Sequence, residues 1–212
     1  MKLRTPALVA GVVVLLSGCG GGHHAKKPDV NGCVPVQPVS TSGRTRPKPT
    51  TKLDLAKTYD VTFATNCGQF TVRLDPQQSP NASASVASLA QSGFYDGTTF
   101  FKIVPTYAQG GDPTATGTGG PGYTTVDSPP PNARYTHGVV AMAKTGAQPP
   151  GTAGSQFFVV TAADAGLTPD YAIVGTVIQG LDVVDRIGKL GGPGGRPTET
   201  AEIQHASLAS FK

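Results

Sequence analysis

Glycine and proline interrupt this chain so often that no long regular element can run through it: 28 glycines and 19 prolines in 212 residues, more than a fifth of the whole. Proline removes a backbone donor, and glycine costs entropy inside helices and strands. Short strands joined by many turns follow, and a helical bundle does not. Low aromatic content and the absence of tryptophan fit a modest core rich in valine and alanine. The length suits one domain plus appendages, since domains cluster at roughly 100–150 residues.

Residues 58–212 carry the folded pattern. Tyr59, Val61 and Phe63 alternate with Asp60, Thr62 and Ala64, residues 66–69 turn, and Phe70, Val72 and Leu74 alternate with Thr71 and Arg73, which reads as a hairpin. Ser79-Pro80 reads as an N-cap followed by proline at the first helical position. Ala82, Val86, Leu89 and Ala90 then share one helix face, and Gly93 is placed to end the helix. Residues 100–104 and the region of Gln109 read as two more strands, 117–122 as a glycine-rich loop, and 128–132, with three prolines, as irregular chain. Apolar strands follow at 138–143, 156–161 and 172–178, a short helix at Leu181, Val184 and Ile187, and a last strand at 200–208. About eight strands close into a barrel whose own side chains fill it, which leaves any site on the outer face.

The N-terminal part reads differently. Lys2 and Arg4 precede an apolar run over 6–16, and Leu16-Ser17-Gly18-Cys19 looks like the lipobox of a bacterial lipoprotein signal. Residues 1–18 are then a signal peptide, Cys19 becomes a lipidated N-terminus, and residues 19–57 are a flexible basic tether. The apolar run is too short to span a bilayer, which needs ~20 residues. Residues 20–57 carry a net charge of +5 and residues 58–212 one of −3, so the basic character belongs to the tether. Such a stretch is either attracted to anionic headgroups or simply a soluble linker. Nucleic-acid binding has no support in an acidic folded part without a stacking motif. Once Cys19 is lipidated, Cys33 and Cys67 remain, and an even pair in an exported protein points to a disulfide that pins the tether to the domain. Two isolated cysteines without histidine spacing do not make a metal site.

Two runs point to a site: Gln109-Gly110-Gly111-Asp112 and Gly154-Ser155-Gln156-Phe157-Phe158-Val159-Val160. Gln156 is a polar residue set among large apolar ones, which suits a strand that supplies both a core face and a pocket floor. Ser155 lacks the elbow context of a hydrolase nucleophile, and no Lys-Ser/Thr follows the glycine-rich loop to make a phosphate cradle. His137 and His205 read as strand-edge polar residues.

These two runs, together with Ala141-Met142-Ala143, resemble the cyclophilin family of peptidyl-prolyl isomerases, and the likeness extends over about residues 59–208. The resemblance implies a mainly β fold, an eight-stranded antiparallel barrel capped by two helices. It implies catalysis of rotation about the bond before proline, with no metal and no organic cofactor. Tyr107, Ala108, Phe158 and Leu167 match the proline pocket, Gln109 matches the glutamine that orients the catalytic cation, and Gln156 matches a second glutamine. Gly117 and Ala143-Lys144-Thr145 match the edge along which the peptide lies, and Tyr171 stands at a family histidine. Phe100-Phe101-Lys102 departs from the family triplet Phe-His-Arg, so Lys102 stands where the catalytic arginine is expected and Phe101 where the histidine is. Residues 105–109 are also one residue short of the family pattern. The expected protein is a monomeric, lipid-anchored isomerase on the extracytoplasmic side of a membrane, acting on proline-containing segments of exported proteins. The alternative is a catalytically weak module that binds such segments.

Overall fold

Strands β1 (Thr58–Thr65) and β2 (Gly68–Leu74) form the expected hairpin, with Phe63 opposite Phe70 and Val61 opposite Val72. The computed structural model describes residue 1, residues 32–37 and residues 43–212, so the signal segment after residue 1 and Cys19 lie outside the described residues. After helix α1 (Pro80–Gln91) come β3 (Thr98–Thr99), β4 (Lys102–Val104), β5 (Tyr107–Gly110), β6 (Thr125–Val126), β7 (Val139–Met142), β8 (Thr152–Ala153), β9 (Phe157–Val160) and β10 (Ile173–Gln179). Helix α2 (Leu181–Gly188) and β11 (Glu202–Phe211) complete the order.

Nine strands join in one curled antiparallel sheet, ordered β3-β11-β1-β2-β10-β7-β9-β5-β4, while β6 and β8 pair separately. The two end strands, β3 and β4, are consecutive pieces of one segment broken at Phe100-Phe101. One segment therefore pairs with β11 through its first half and with β5 through its second, which closes the ring as eight strands. Closure removes the open edge that would otherwise template aggregation. Phe63, Phe70, Phe100, Phe157 and Tyr95 fill the interior, with Phe63–Phe157 and Tyr95–Phe157 ring centroids 5.2 and 5.7 Å apart.

Two expectations about the helix and the tether need correction. Ser79 does not cap α1, because its hydroxyl donates to the Ile173 carbonyl at 2.6 Å. The cap comes from Asp127, whose carboxylate accepts the Asn81 and Ala82 N–H groups at 3.0 and 2.6 Å. An anion at a helix N-terminus meets unsatisfied donors and the positive end of the dipole, so it is a stronger acceptor there than a hydroxyl. Asp127→Ala is expected to destabilise the protein by about 1–3 kcal/mol, read from urea unfolding, whereas Ser79→Ala should leave the helix cap intact.

The described part of residues 19–57 contains no helix or strand, yet it is not a free tether. Residues 44–48 bond to the domain through Arg44, Arg46 and Lys48. Cys33 is bonded to Cys67 at the β1–β2 turn, where Val34 N–H donates to the Asn66 carbonyl at 2.7 Å and Asn66 Nδ2 donates to the Val34 carbonyl at 2.9 Å. No described helix is long and apolar enough to cross a membrane.

Candidate active site

Alternation along β5 decides which predicted residues reach the surface. Tyr107 and Gln109 face outward and half-buried, whereas Ala108 and Gly110 face the core. Ala108, expected in the pocket, is 1 % exposed and belongs to the barrel interior. The register explains this: Val104 pairs with Tyr107 and Lys102 with Gln109, so only Pro105 and Thr106 turn the β4–β5 hairpin. The missing residue is absorbed in the turn, and period-two alternation then puts Ala108 inside.

The same register lines up a row across the outer face. Lys102 lies opposite Gln109, Gln109 opposite Phe158, Phe158 opposite Ala141, and Ala141 opposite Ile173. Directly opposed residues share a face. Phe158 therefore points away from the core that holds Phe157 and Val159, and packs in a second apolar cluster with Tyr135, Ala141 and Val160. Half-buried Tyr107, Ala143, Leu167 and Tyr171 pack around it. The Tyr107 and Tyr171 ring centroids lie 5.0 and 5.3 Å from that of Phe158. The result is an aromatic patch, or slot, on the outer face of the sheet, with Phe158 only 2 % exposed at its base and half-buried Tyr107, Leu167 and Tyr171 around it.

Tyr135, which sequence reasoning missed, forms part of the slot's floor. Its hydroxyl donates to the Tyr171 carbonyl at 2.8 Å and accepts the Tyr171 N–H at 2.9 Å, which holds Tyr171 in place. Burial pushes the Tyr135 phenol above its usual pKa, so it stays protonated and able to donate. Lys102 is exposed at the opposite rim, with Nζ 5.7 Å from the Tyr107 ring centroid. Gln109 does not hold it. Gln109 Nε2 donates instead to Gln156 Oε1 at 3.0 Å, and Gln156 Nε2 donates to the Gly119 carbonyl at 2.9 Å.

Beside the slot runs a groove of ≈ 430 Å³, lined by Gln109, Gln156, residues 117–124 and Ala143-Lys144-Thr145. Ala143 borders both slot and groove. Asp112, fully buried, organises the loop: its carboxylate accepts the N–H groups of Thr114, Gly117 and Gly119 at 2.7, 2.6 and 3.1 Å. A Cβ on Gly119 would lie almost on top of Asp112 Oδ1, which explains the glycine. An aspartate directly after Gly-Gly is the sequence signal for this role.

Lys144 also differs from expectation. Beyond its backbone place on the groove edge, its side chain is only 5 % exposed; its ammonium pairs with Asp170 at 3.0 Å, donates to the Gln148 carbonyl at 3.2 Å and lies 5.6 Å from the Tyr171 ring centroid. A buried ammonium must be paired, and here the pair ties the 143–148 loop to the 167–171 loop. Phe101 is not brought into the slot. It sits in the β3–β4 break against Gly117 and lines a separate hollow with Thr99 and residues 197–201. Among the described residues no cluster of His, Cys, Asp and Glu is placed to hold a metal ion. His137 and His205 pair with Asp185 and Asp96 at 2.6 and 2.9 Å and line neither slot nor groove.

Known proteins resemble this chain in sequence and in fold. A "Peptidyl-prolyl cis-trans isomerase-like 1" of Aspergillus fumigatus is 40% identical over 134 residues, which is 61% of this chain and 81% of the relative. The Mus musculus protein of the same name is 38% identical over 134 residues, 61% of this chain and 79% of its own. A cyclophilin type isomerase of Cryptosporidium parvum superposes with a TM-score of 0.66 at 31% identity, covering 73% of this chain and 99% of that one. Its crystal structure in the presence of the dipeptide Ala-Pro superposes with a TM-score of 0.65. The model of the cyclophilin type peptidyl-prolyl cis-trans isomerase family matches residues 60–208, and with the closed barrel and its outer aromatic slot this places the chain in that family.

Proposed function

We propose that the protein is an exported, lipid-anchored peptidyl-prolyl cis-trans isomerase that assists the folding of proteins outside the cytoplasm. The observation that carries the activity is the slot of Tyr107, Phe158, Leu167 and Tyr171 with the Lys102 cation at its rim. Rotation about the bond before proline meets a barrier of about 18–20 kcal/mol because the amide loses resonance as it twists. Nothing covalent is needed. A ring held in the slot and a donor near the imide nitrogen, whose lone pair localises in the twisted state, stabilise that state more than the planar one. Exchange spectroscopy by NMR on a proline peptide with the full chain tests the reading, since it reports binding and turnover together. Accelerated cis-trans exchange is expected, and exchange at the uncatalysed rate with peptide bound overturns it.

A second reading, a module that binds proline segments with slow turnover, is favoured by one observation. Gln109 donates to Gln156, and no hydrogen bond fixes Lys102 among the described residues. The export and anchoring part of the proposal rests on Leu16-Ser17-Gly18-Cys19 behind a short apolar run. Two or three acyl chains anchor a protein stably where one binds only marginally. Cys19→Ala should therefore release a monomeric protein into the soluble fraction, and wild-type protein recovered with residues 1–19 intact would count against the anchor.

A further inference from the structure

The segment ahead of the barrel lies outside the family match, which starts at residue 60, yet it bonds to one wall of the groove. Arg44 and Arg46 are half-buried, while Gly43, Thr45 and Pro47 between and beside them are exposed. Extended chain puts alternate side chains on one face, so the Arg-x-Arg spacing aims both guanidinium groups at the end of α1. Arg44 Nη1 donates to the carbonyls of Phe94 and Asp96 at 3.0 and 2.9 Å, and Arg46 Nη2 donates to that of Ser92 at 3.2 Å. Both guanidinium groups also lie about 6 Å from the Phe94 ring, at 6.0 and 5.8 Å. Cations are favoured at the negative end of a helix and over an aromatic face. This is the anchored side of the segment.

Its other side meets the glycine-rich loop. The Arg46 N–H donates to the Pro121 carbonyl at 2.9 Å, Lys48 Nζ donates to the Thr124 carbonyl at 2.9 Å, and the Thr45 methyl lies against Gly122. Pro121, Gly122, Tyr123 and Thr124 all line the groove. Asp112 and Gln156 hold the loop only as far as Gly119. Beyond that point the wall is held by this segment, by the Tyr123–Ser85 hydroxyl pair at 2.9 Å and, from Thr125 onward, by the pairing of β6 with β8.

We infer that residues 44–48 are positioning residues for the peptide groove: they set the place of its outer wall and so determine how well chain flanking the proline is accepted. The inference rests on the isomerase reading for its substrate, an extended peptide longer than the slot. The full chain carrying Arg44→Ala and Lys48→Ala is compared with wild type, using a capped Ala-Pro peptide that reaches only the slot and a proline peptide of roughly eight residues, a length that at about 3.3 Å per residue outruns it. The long peptide is expected to lose about three- to tenfold in affinity, the effect of one or two hydrogen bonds. Affinity for the short peptide should stay unchanged. Amide resonances of Gly120 and Gly122 should shift while the ring signals of Phe158 do not, and Arg44→Lys with Lys48→Arg should restore long-peptide binding.

Equal losses for both peptides, or none for either, overturn the inference. Should the double variant fold poorly, Lys48→Ala alone removes one exposed bond to the wall and must still weaken the long peptide selectively. If wild type binds both peptides and isomerises neither, the isomerase reading fails, and the difference in binding still decides the role of the segment.

Discussion

Lys102→Ala is expected to lower the isomerisation rate well below wild type while changing the affinity for proline peptides much less. One well-placed donor is worth ~3–4 kcal/mol of transition-state stabilisation, or about 10²–10³ in rate. A lysine supplies only part of this, because its ammonium is strongly hydrated and lacks the planar fork of a guanidinium. Lys102 shares a row with Gln109 and Phe158, and its Nζ stands 5.7 Å from the centre of the Tyr107 ring, yet Gln109 donates its amide to Gln156. The cation is near the slot but not locked. Lys102→Arg should therefore raise turnover, because a guanidinium can donate to the free Gln109 carbonyl oxygen and to substrate together. Phe101 packs against Gly117 outside the slot, so adding Phe101→His to Lys102→Arg should change the rate little beyond the single variant. Peptide exchange rates and affinities measured on the three variants separate turnover from binding. If Lys102→Ala matches wild type in rate, Lys102 is not the catalytic cation.

Reduction of Cys33–Cys67, or the Cys33→Ser/Cys67→Ser variant, is expected to lower stability by roughly 3–4 kcal/mol. The bond links residues 34 apart, and in the loop-entropy model closing a loop of that size removes this much freedom from the unfolded chain. For a domain of this size the melting temperature should fall on the order of 10 °C. Both cysteines are about 1 % exposed, so the reduced form also leaves two buried thiols at a junction where Asn66 bridges the Val34 and Thr200 carbonyls and accepts the Glu202 N–H. Those hydrogen bonds remain after reduction and limit the loss. Calorimetry with and without reductant reads the effect, and an unchanged melting temperature in protein shown to have lost the bond would refute it.

Alternation carried most of what could be read in advance. Tyr59, Val61 and Phe63 against Phe70, Val72 and Leu74 define a hairpin from residue type alone, because side chains on a strand point to opposite faces in turn. Glycine and proline spacing marked the turns, and the two glutamine-containing runs marked the face that holds the slot. Local chemistry of this kind needs no partner to be recognised. It set a mainly β chain with short strands, while the likeness to the cyclophilin family is what assigned Tyr107, Phe158, Leu167 and Tyr171 to one site, and the structure packs these four together.

Other features were settled between residues far apart, where no local pattern reports them. The parity of Ala108 depended on how a shortened hairpin would absorb its missing residue, and only pairing of Val104 with Tyr107 decided that it faces the core. The cap on α1 came from Asp127 and not from the adjacent Ser79, because a carboxylate reached the helix end through the tertiary fold. Lys144 turned inward because Asp170 was there to pair with it. Arg44, Arg46 and Lys48, read from sequence as tether charge, were drawn to carbonyls of the α1 end and the glycine-rich loop that approach one another only once the barrel has closed. Period-two patterning specifies which face a residue takes within its own strand; charges and hydrogen-bond donors choose partners by distance in space, which only the assembled fold supplies.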